Sequence, residues 1–283
     1  VKLSVVIITH NEEANLGRTL QSVQPLVSGD QGEIIVVDSG STDKTVGIAE
    51  SYGAKVFVEP WKGYAAQKNS AIDKATGDWI LSLDADESLE PQLAELLAGH
   101  SQPPPSSPAE WCLTMALAGK ATASPQSLGE PVGFWFPRKN FFLGRWIRHG
   151  GFWPDRKLRL FLRGKGRVKD APVHETIQVE GRTLTVQPAI LHHSYPTLSE
   201  YIDHMNRYSS LGAQMAAAKA QQGSLTNIVL RPFFTFIYNY FFRLGFLDGR
   251  EGLLLHLYHA VYVSWKYAKL WELTHQHPAN SSS

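Results

Sequence analysis

Gly77-Asp78-Trp79-Ile80-Leu81-Ser82-Leu83-Asp84-Ala85-Asp86-Glu87 decides how this chain folds. Asp78 to Leu83 is a short apolar run, the pattern of a strand buried on both faces of a parallel sheet. It delivers two carboxylates, Asp84 and Asp86, to the strand's carboxyl end. Upstream, Tyr64 to Ala75 has helical spacing, and Gly77 is the expected C-cap. Lys55 to Glu59 is a strand, and Ser41-Thr42-Asp43 caps a helix running to about Tyr52. Glu33 to Val37 is a buried strand ending at Asp38. Glu12 to Val23 is helical through Leu16, Leu20 and Val23, and Leu3 to Ile8 is a β-branched strand. Strand and helix alternate over the first ninety residues, which predicts a doubly wound α/β half.

Downstream the pattern changes. Residues 99–131 hold Gln102 to Pro108 and a small, polar run to Ser127, and read as a variable insertion. Short strands are expected at 133–136, 158–162 and 177–179, then a helix over 199–222 with an imperfect capping box at Ser199. Leu225 to Glu272 is dense in Phe, Tyr, Leu and Trp, with Arg231, Arg243, Arg250 and Lys266 interspersed. It is either a buried helical pair or an in-plane pair at a membrane surface. Its charges argue against a spanning hairpin. The expected domains are therefore 1–223, made of a nucleotide-sugar half (1–98), the insertion (99–131) and an acceptor half (132–223), followed by a helical segment over 224–283.

The chain has 283 residues, 43% hydrophobic and 19% charged, enough for a substantial core. Its 27 Lys and Arg nearly balance 26 Asp and Glu, so nucleic acid is not an expected partner. One stretch departs from this balance: residues 138–169 carry eleven Lys or Arg and one acid, Asp155. Cys112 is the only cysteine, so no intramolecular disulfide forms. With no signal-peptide pattern visible, a cytoplasmic location is expected.

Ligands of open α/β sheets bind at the carboxyl ends of strands. Three polar groups fall there: Thr9-His10-Asn11-Glu12, Asp38 to Asp43, and Asp84-Ala85-Asp86. A nucleotide diphosphate leaving group needs its charge neutralised, and a divalent metal does this as a Lewis acid. Mg²⁺ and Mn²⁺ take oxygen ligands, often one or two carboxylates plus phosphates. Glu175, in Pro172-Val173-His174-Glu175, is a candidate general base or an exposed turn carboxylate. His192 or His193 is a surface histidine or completes a metal shell. Lys68 and Arg159 are candidate phosphate partners. If 158–162 is a strand, Arg159 points opposite to Leu158 and Leu160.

The motifs SVVIITHNEE, IIVVDSGSTDKT, AAQKNSAI and GDWILSLDADE together resemble the nucleotide-sugar half of family 2 glycosyltransferases of the GT-A fold. PRKNFFLGRWIRHGGFWPDRKLRLF, VHETI and LHHSYPTLSEYIDHMNRYS resemble the bacterial subgroup holding the lipopolysaccharide core β-glucosyltransferases. The resemblance implies a Rossmann-like, mostly parallel sheet between helices with a C-terminal amphipathic helical appendage. It also implies an inverting, metal-dependent transfer, with UDP-glucose the leading donor and a glycan or lipid-linked glycan acceptor. Thr9, Asn11, Glu12, Asp38, Lys68, Asp84 and Arg159 would hold the nucleotide sugar. Asp86 and His192 would hold Mn²⁺ or Mg²⁺, and Glu175 would be the catalytic base. The place of action would be the inner face of the bacterial plasma membrane, with peripheral contact through 225–272. Two alternatives have a polyprenyl-phosphate acceptor or no catalysis at all. Intact Asp84, Asp86 and Glu175 argue against a mere binding module.

Overall fold

The computed structural model describes residues 1–28, 32–98, 122–123 (backbone), 130–169 and 176–275. They fall into two compact units. One comprises Val1–Lys139 with Asp155–His193, the other Asn140–Pro154 with the chain from Ser194 onward. The helix of 198–218 packs on the C-terminal helix, which is why it groups with 225–275.

In the first unit β1 (Leu3–Thr9), β2 (Gly32–Asp38), β3 (Lys55–Val58) and β4 (Trp79–Asp84) alternate with α1 (Leu16–Val27), α2 (Thr45–Ser51) and α3 (Tyr64–Asp73). β5 (Glu87–Leu89), α4 (Pro91–Leu97), β6 (Thr122–Ala123), β7 (Pro131–Phe142), β8 (Arg145–Trp146), β9 (Asp155–Leu162), β10 (Gly166–Lys169), β11 (Thr176–Val179), β12 (Arg182–Thr185) and β13 (Ile190–Tyr195) follow along the chain, β8 and the last residues of β7 and β13 belonging to the second unit. The strand order is β3-β2-β1-β4-β9-β7-β12-β6. β3, β2, β1 and β4 run parallel, and β9 joins β4 antiparallel. The sheet is thus parallel through the nucleotide half and mixed beyond it.

Alternate residues of the parallel strands feed two cores. Leu3, Val5, Ile7, Ile34, Val36, Trp79 and Leu81 meet Leu16, Leu20 and Val23 of α1 and Leu93 of α4. Val6, Ile35, Val37 and Ile80 meet Ala65, Ala71 and Ile72 of α3. Burial on both faces explains the unbroken apolar runs. Each fully buried Leu or Ile contributes about 1.5–3 kcal/mol.

Three local expectations are corrected. α1 begins at Leu16, because residues 12–15 form a turn in which the Asn15 and Leu16 amides both donate to the Glu12 carbonyl. Gly77 is no C-cap: α3 ends at Asp73, and a Cβ at 77 would meet the Lys2 carbonyl at 2.7 Å and the Ser4 nitrogen at 2.8 Å. Glycine is needed there for close approach to β1. The cap before residue 200 is Thr197, whose hydroxyl accepts from the Glu200 amide at 3.2 Å.

The second unit holds α5 (Leu198–Ala218), α6 (Leu225–Ile237) and α7 (Gly249–His275). α6 passes through a π turn, Tyr238–Phe242, and a 3₁₀ turn, Gly245–Asp248, before α7. Phe142, Ile147, Tyr201 and Leu255 form one core here, and Ala213, Ala216, Tyr267 and Leu270 another.

Candidate active site

Asp84 ends β4 and meets two cations. Lys68 of α3 lies 2.8 Å from its Oδ1, and Arg159 of β9 donates to its Oδ2. Burial alone would raise the Asp84 pKa; Arg159 and Lys68 outweigh it and hold the carboxyl well below the usual carboxylate range. The same Arg159 nitrogen is 2.6 Å from Glu87, a fully buried side chain. Glu87 also accepts from Arg138 at 3.0 Å and, through its other oxygen, from the Asp84 amide at 3.1 Å. Arg138 in turn binds Asp155 at 2.6 Å.

A β-bulge aims Arg159. Phe134 of β7 faces Leu160 and Trp135 faces Leu158, so Arg159 has no partner residue on β7. Leu158 and Leu160 consequently enter opposite cores. The expected simple alternation is corrected to this: one extra residue turns the guanidinium to the carboxylates.

Asp86 lies beyond the strand end. His192 reaches it, with Nε2 at 3.1 Å from Oδ2. Burial raises the Asp86 carboxyl and His192 outweighs it, leaving the pKa lowered. β13 pairs antiparallel with β5 and sets His192 opposite Glu87, while the His193 amide donates to the Asp86 carbonyl at 3.1 Å. Glu12, above β1, is pushed up by burial, with Asp86, Asp43 and Asp84 adding to the effect. Carboxylates of three segments therefore sense one another.

Asp38 ends β2, fully buried. Its Oδ1 accepts from the hydroxyls of Thr9 at 2.9 Å and Ser41 at 2.5 Å. Its Oδ2 accepts from the amides of Gly40 at 2.9 Å and Ser41 at 2.8 Å. Burial opposes ionisation, but these donors win and lower the pKa. All four lone-pair positions of the carboxylate are filled. Asn11, in the left-handed region with φ 55, ties the ends of β1 and β2 together. Its amide donates to the Ser41 hydroxyl and its side-chain oxygen accepts from the Thr42 amide, both at 2.8 Å.

Thr9, Asn11, Glu12, Asp38, Lys68, Asp84, Asp86, Arg159 and His192 thus lie at or beside the carboxyl ends of β1, β2 and β4. Glu175 lies outside the described residues. Glu87, Arg138 and Asp155 were not expected. Glu87 directly follows Asp86, and Arg138 with Asp155 belongs to the basic stretch, but sequence gives no sign of their pairing.

Asp86 Oδ2 and His192 Nε2 form an ion pair at 3.1 Å, and a carboxylate oxygen and an imidazole nitrogen are both donor types that divalent cations take. Among the described residues no group of three or more His, Cys, Asp or Glu is arranged to hold a metal, so remaining positions would fall to phosphate or water.

A mostly parallel sheet between helices, with a polar edge across the strand ends where such sheets bind ligands, places the chain in the GT-A class of α/β folds. The model described as "Glycosyl transferase family 2" matches residues 4–107. The lipopolysaccharide core biosynthesis glycosyltransferase LpsC of Rhizobium meliloti is 30% identical over 280 residues, 95% of this chain and 92% of that protein. The chain belongs to the family 2 glycosyltransferases. Glucosyl-3-phosphoglycerate synthase of Mycobacterium tuberculosis is 38% identical over 94 residues, 30% of this chain and 28% of that one. Among solved structures, the mannosyltransferase PcManGT from Pyrobaculum calidifontis, in complex with GDP-Man and Mn²⁺, aligns at TM-score 0.46. It has 15% identity over 95% of this chain and 87% of its own.

Proposed function

We propose that this glycosyltransferase moves a sugar, with inversion, from a nucleotide diphosphate sugar to a hydroxyl of a lipid-linked glycan of the lipopolysaccharide core type. UDP-glucose is the leading donor. The name of LpsC supports the acceptor class, and the glucosyl synthase matching the nucleotide half supports glucose. The work would be done at the cytoplasmic face of the membrane.

The charge balance at the Asp84–Asp86 edge carries the reading. Lys68, Arg138 and Arg159 are already matched by Asp84, Glu87 and Asp155. Asp86 adds a further carboxylate. Because these cations are already engaged by carboxylates, with Asp155 shared between Arg138 and Lys157, a divalent ion would supply the further charge that a donor diphosphate needs. Asp86 and His192 would hold that ion, which when bound neutralises the leaving diphosphate. Lys68 and Arg159 fix Asp84, whose carboxylate orients the donor's ribose side. Thr9 and Asp38 bound the nucleobase; Ser41 would swing its hydroxyl away to give Asp38 a free lone pair for a ring N–H. Glu175 would take the acceptor hydroxyl's proton as that oxygen attacks the anomeric carbon from the face opposite the leaving group.

A hydrolysis panel over UDP-, GDP- and dTDP-sugars with Mn²⁺ or Mg²⁺ tests this. Metal-dependent cleavage of UDP-glucose above the others is expected. Equal rates in EDTA, or no cleavage of any donor, would overturn the reading.

A further inference from the structure

Leu225 to Leu247 contains no Asp or Glu and two basic residues, Arg231 and Arg243. α6 uses one side to pack on α7, where the Ser264 hydroxyl donates to the Ile228 carbonyl at 2.9 Å. Among the described residues nothing covers its other side. Leu225 is 77% exposed at the helix start, and Val229 (61%), Leu230 (48%), Phe233 (58%) and Phe234 (62%) span about 140° of the helix surface. The stripe continues into the π turn, where Phe242 is 75% exposed, and then into the 3₁₀ turn, with Phe246 and Leu247. Isolated surface hydrophobics are ordinary; an ordered, contiguous row of large ones marks an interaction surface.

The turn that displays this row is locked. Asp248, buried beneath it, accepts from the His149 amide at 2.8 Å and from His149 Nδ1 at 2.9 Å. A Cβ on Gly245 would stand 2.3 Å from His256 Nε2 and 2.8 Å from the Asn239 carbonyl. Leu244 is held in the left-handed region, φ 61, a conformation a leucine adopts only under constraint. These aromatic side chains are therefore presented to the outside by a fixed backbone.

Length and charge choose the occupant. α6 has 13 residues, about 20 Å of helix, against the ~30 Å of a bilayer core. Among the described residues no helix is long and apolar enough to cross. A second copy of the same stretch would bring two more arginines and no acid to the contact. The adjacent acid, Glu251, already pairs with Arg145 at 3.7 Å. A surface of phosphate headgroups over hydrocarbon matches both the row and the arginines.

We propose that the outer stripe of α6, with the π and 3₁₀ turns after it, is a docking surface for an anionic lipid bilayer. The helix lies in the plane of the headgroups. Phe234, Phe242 and Phe246 enter the headgroup–acyl boundary, and Arg231 and Arg243 meet the phosphates. This deepens the reading of a lipid-linked acceptor, but its physics does not depend on that reading.

The full chain is floated with phosphatidylcholine vesicles, and with vesicles in which part of that lipid is replaced by phosphatidylglycerol. It should rise with the second at low salt, release as salt is raised, and stay down with the first. F234S/F242S should lower the bound fraction at least about tenfold, and R243Q about fivefold. Melting temperature and donor hydrolysis in vesicle-free buffer should not change. L225S/V229S, on the first turns of α6, serves if the aromatic variant melts early. Failure of the wild type to float at low salt, or flotation unaltered in both serine variants, would overturn the proposal. So would equal binding to neutral vesicles, or a solution dimer that either serine variant dissociates. A wild type that floats with phosphatidylglycerol yet hydrolyses no donor would uphold the docking surface while removing the transferase reading.

Discussion

One terminal nitrogen of Arg159 lies 2.6 Å from Glu87 and is shared with Asp84. Glu87 is wholly buried, and Arg138 binds the same oxygen that receives Arg159. A single buried carboxylate thus holds two guanidinium groups and the backbone amide of Asp84. Burial lowers the Arg159 pKa in isolation, but Asp84 and Glu87 more than reverse this and raise it. The charge on Arg159 is permanent, so the geometry of Asp84 depends on Glu87 staying in place.

Glu87→Ala should therefore destabilise the fold by about 3–5 kcal/mol, since it leaves buried cations short of a partner. Glu87→Gln keeps the shape and should cost less. Urea unfolding of the two variants checks this. A wild-type midpoint for Glu87→Ala would mean that water already compensates the arginines.

Asp86→Ala should remove metal-dependent turnover and weaken Mn²⁺ binding by at least about 100-fold, more than an outer-shell change costs. His192→Ala should also weaken Mn²⁺. Asp84→Ala should in addition weaken UDP binding, because it frees Lys68 and Arg159 from their positions. Calorimetric titration of each variant with Mn²⁺ and then UDP separates these effects. Undiminished Mn²⁺ affinity in both Asp86→Ala and His192→Ala would place the ion elsewhere.

The parallel half was legible because burial on both faces writes itself as unbroken apolar runs: LSVVII, EIIVV and WILSL became β1, β2 and β4. The strand-end rule then brought Thr9, Asp38 and Asp84 to one edge. Arg159 was named as a candidate, but the means of aiming it was hidden. A bulge depends on how β9 registers with β7, and local sequence does not encode that register. Glu87 escaped for a similar reason: its role comes from Arg138 and Arg159, 51 and 72 residues away. Within 225–237 Ile228 packs inward while Leu225 and Phe234 stay exposed, a division that the density of aromatics in the sequence does not reveal.

Glu175→Gln keeps the side chain's shape but cannot accept a proton at the required pKa. If Glu175 is the base, turnover should fall about 10²–10⁴-fold with donor affinity nearly unchanged. Donor affinity by titration and turnover by product release give the two readings. Turnover of bound donor persisting alongside a collapse in affinity would make Glu175 a binding residue. Unaltered turnover would favour a phosphate acceptor, which scarcely needs a base.

His256 supplies the last prediction. The ring is buried on α7, and among the described residues neither nitrogen has a hydrogen-bond partner. A Cβ on Gly150 would stand 2.0 Å from its Cε1, so glycines at 150 and 245 make the ring's space. Burial lowers its pKa to about 4; neighbouring His259 and Arg243 add to this, and Asp248 opposes it. In the unfolded chain the imidazole protonates near pH 6.5. Between those values the unfolded state binds a proton that the folded state refuses. Stability from this group is therefore complete above about pH 6.5, falls as pH drops toward 4, and levels below. The shift corresponds to about 3 kcal/mol. His256→Leu fills the same apolar space with nothing to titrate. Its stability relative to wild type should improve by roughly that amount on going from pH 7 to pH 4, whatever its starting value at pH 7. Urea midpoints of the two proteins at each pH isolate the histidine, because carboxylate titration is common to both. A difference between them that stays constant with pH would show that the ring takes up its proton inside the fold.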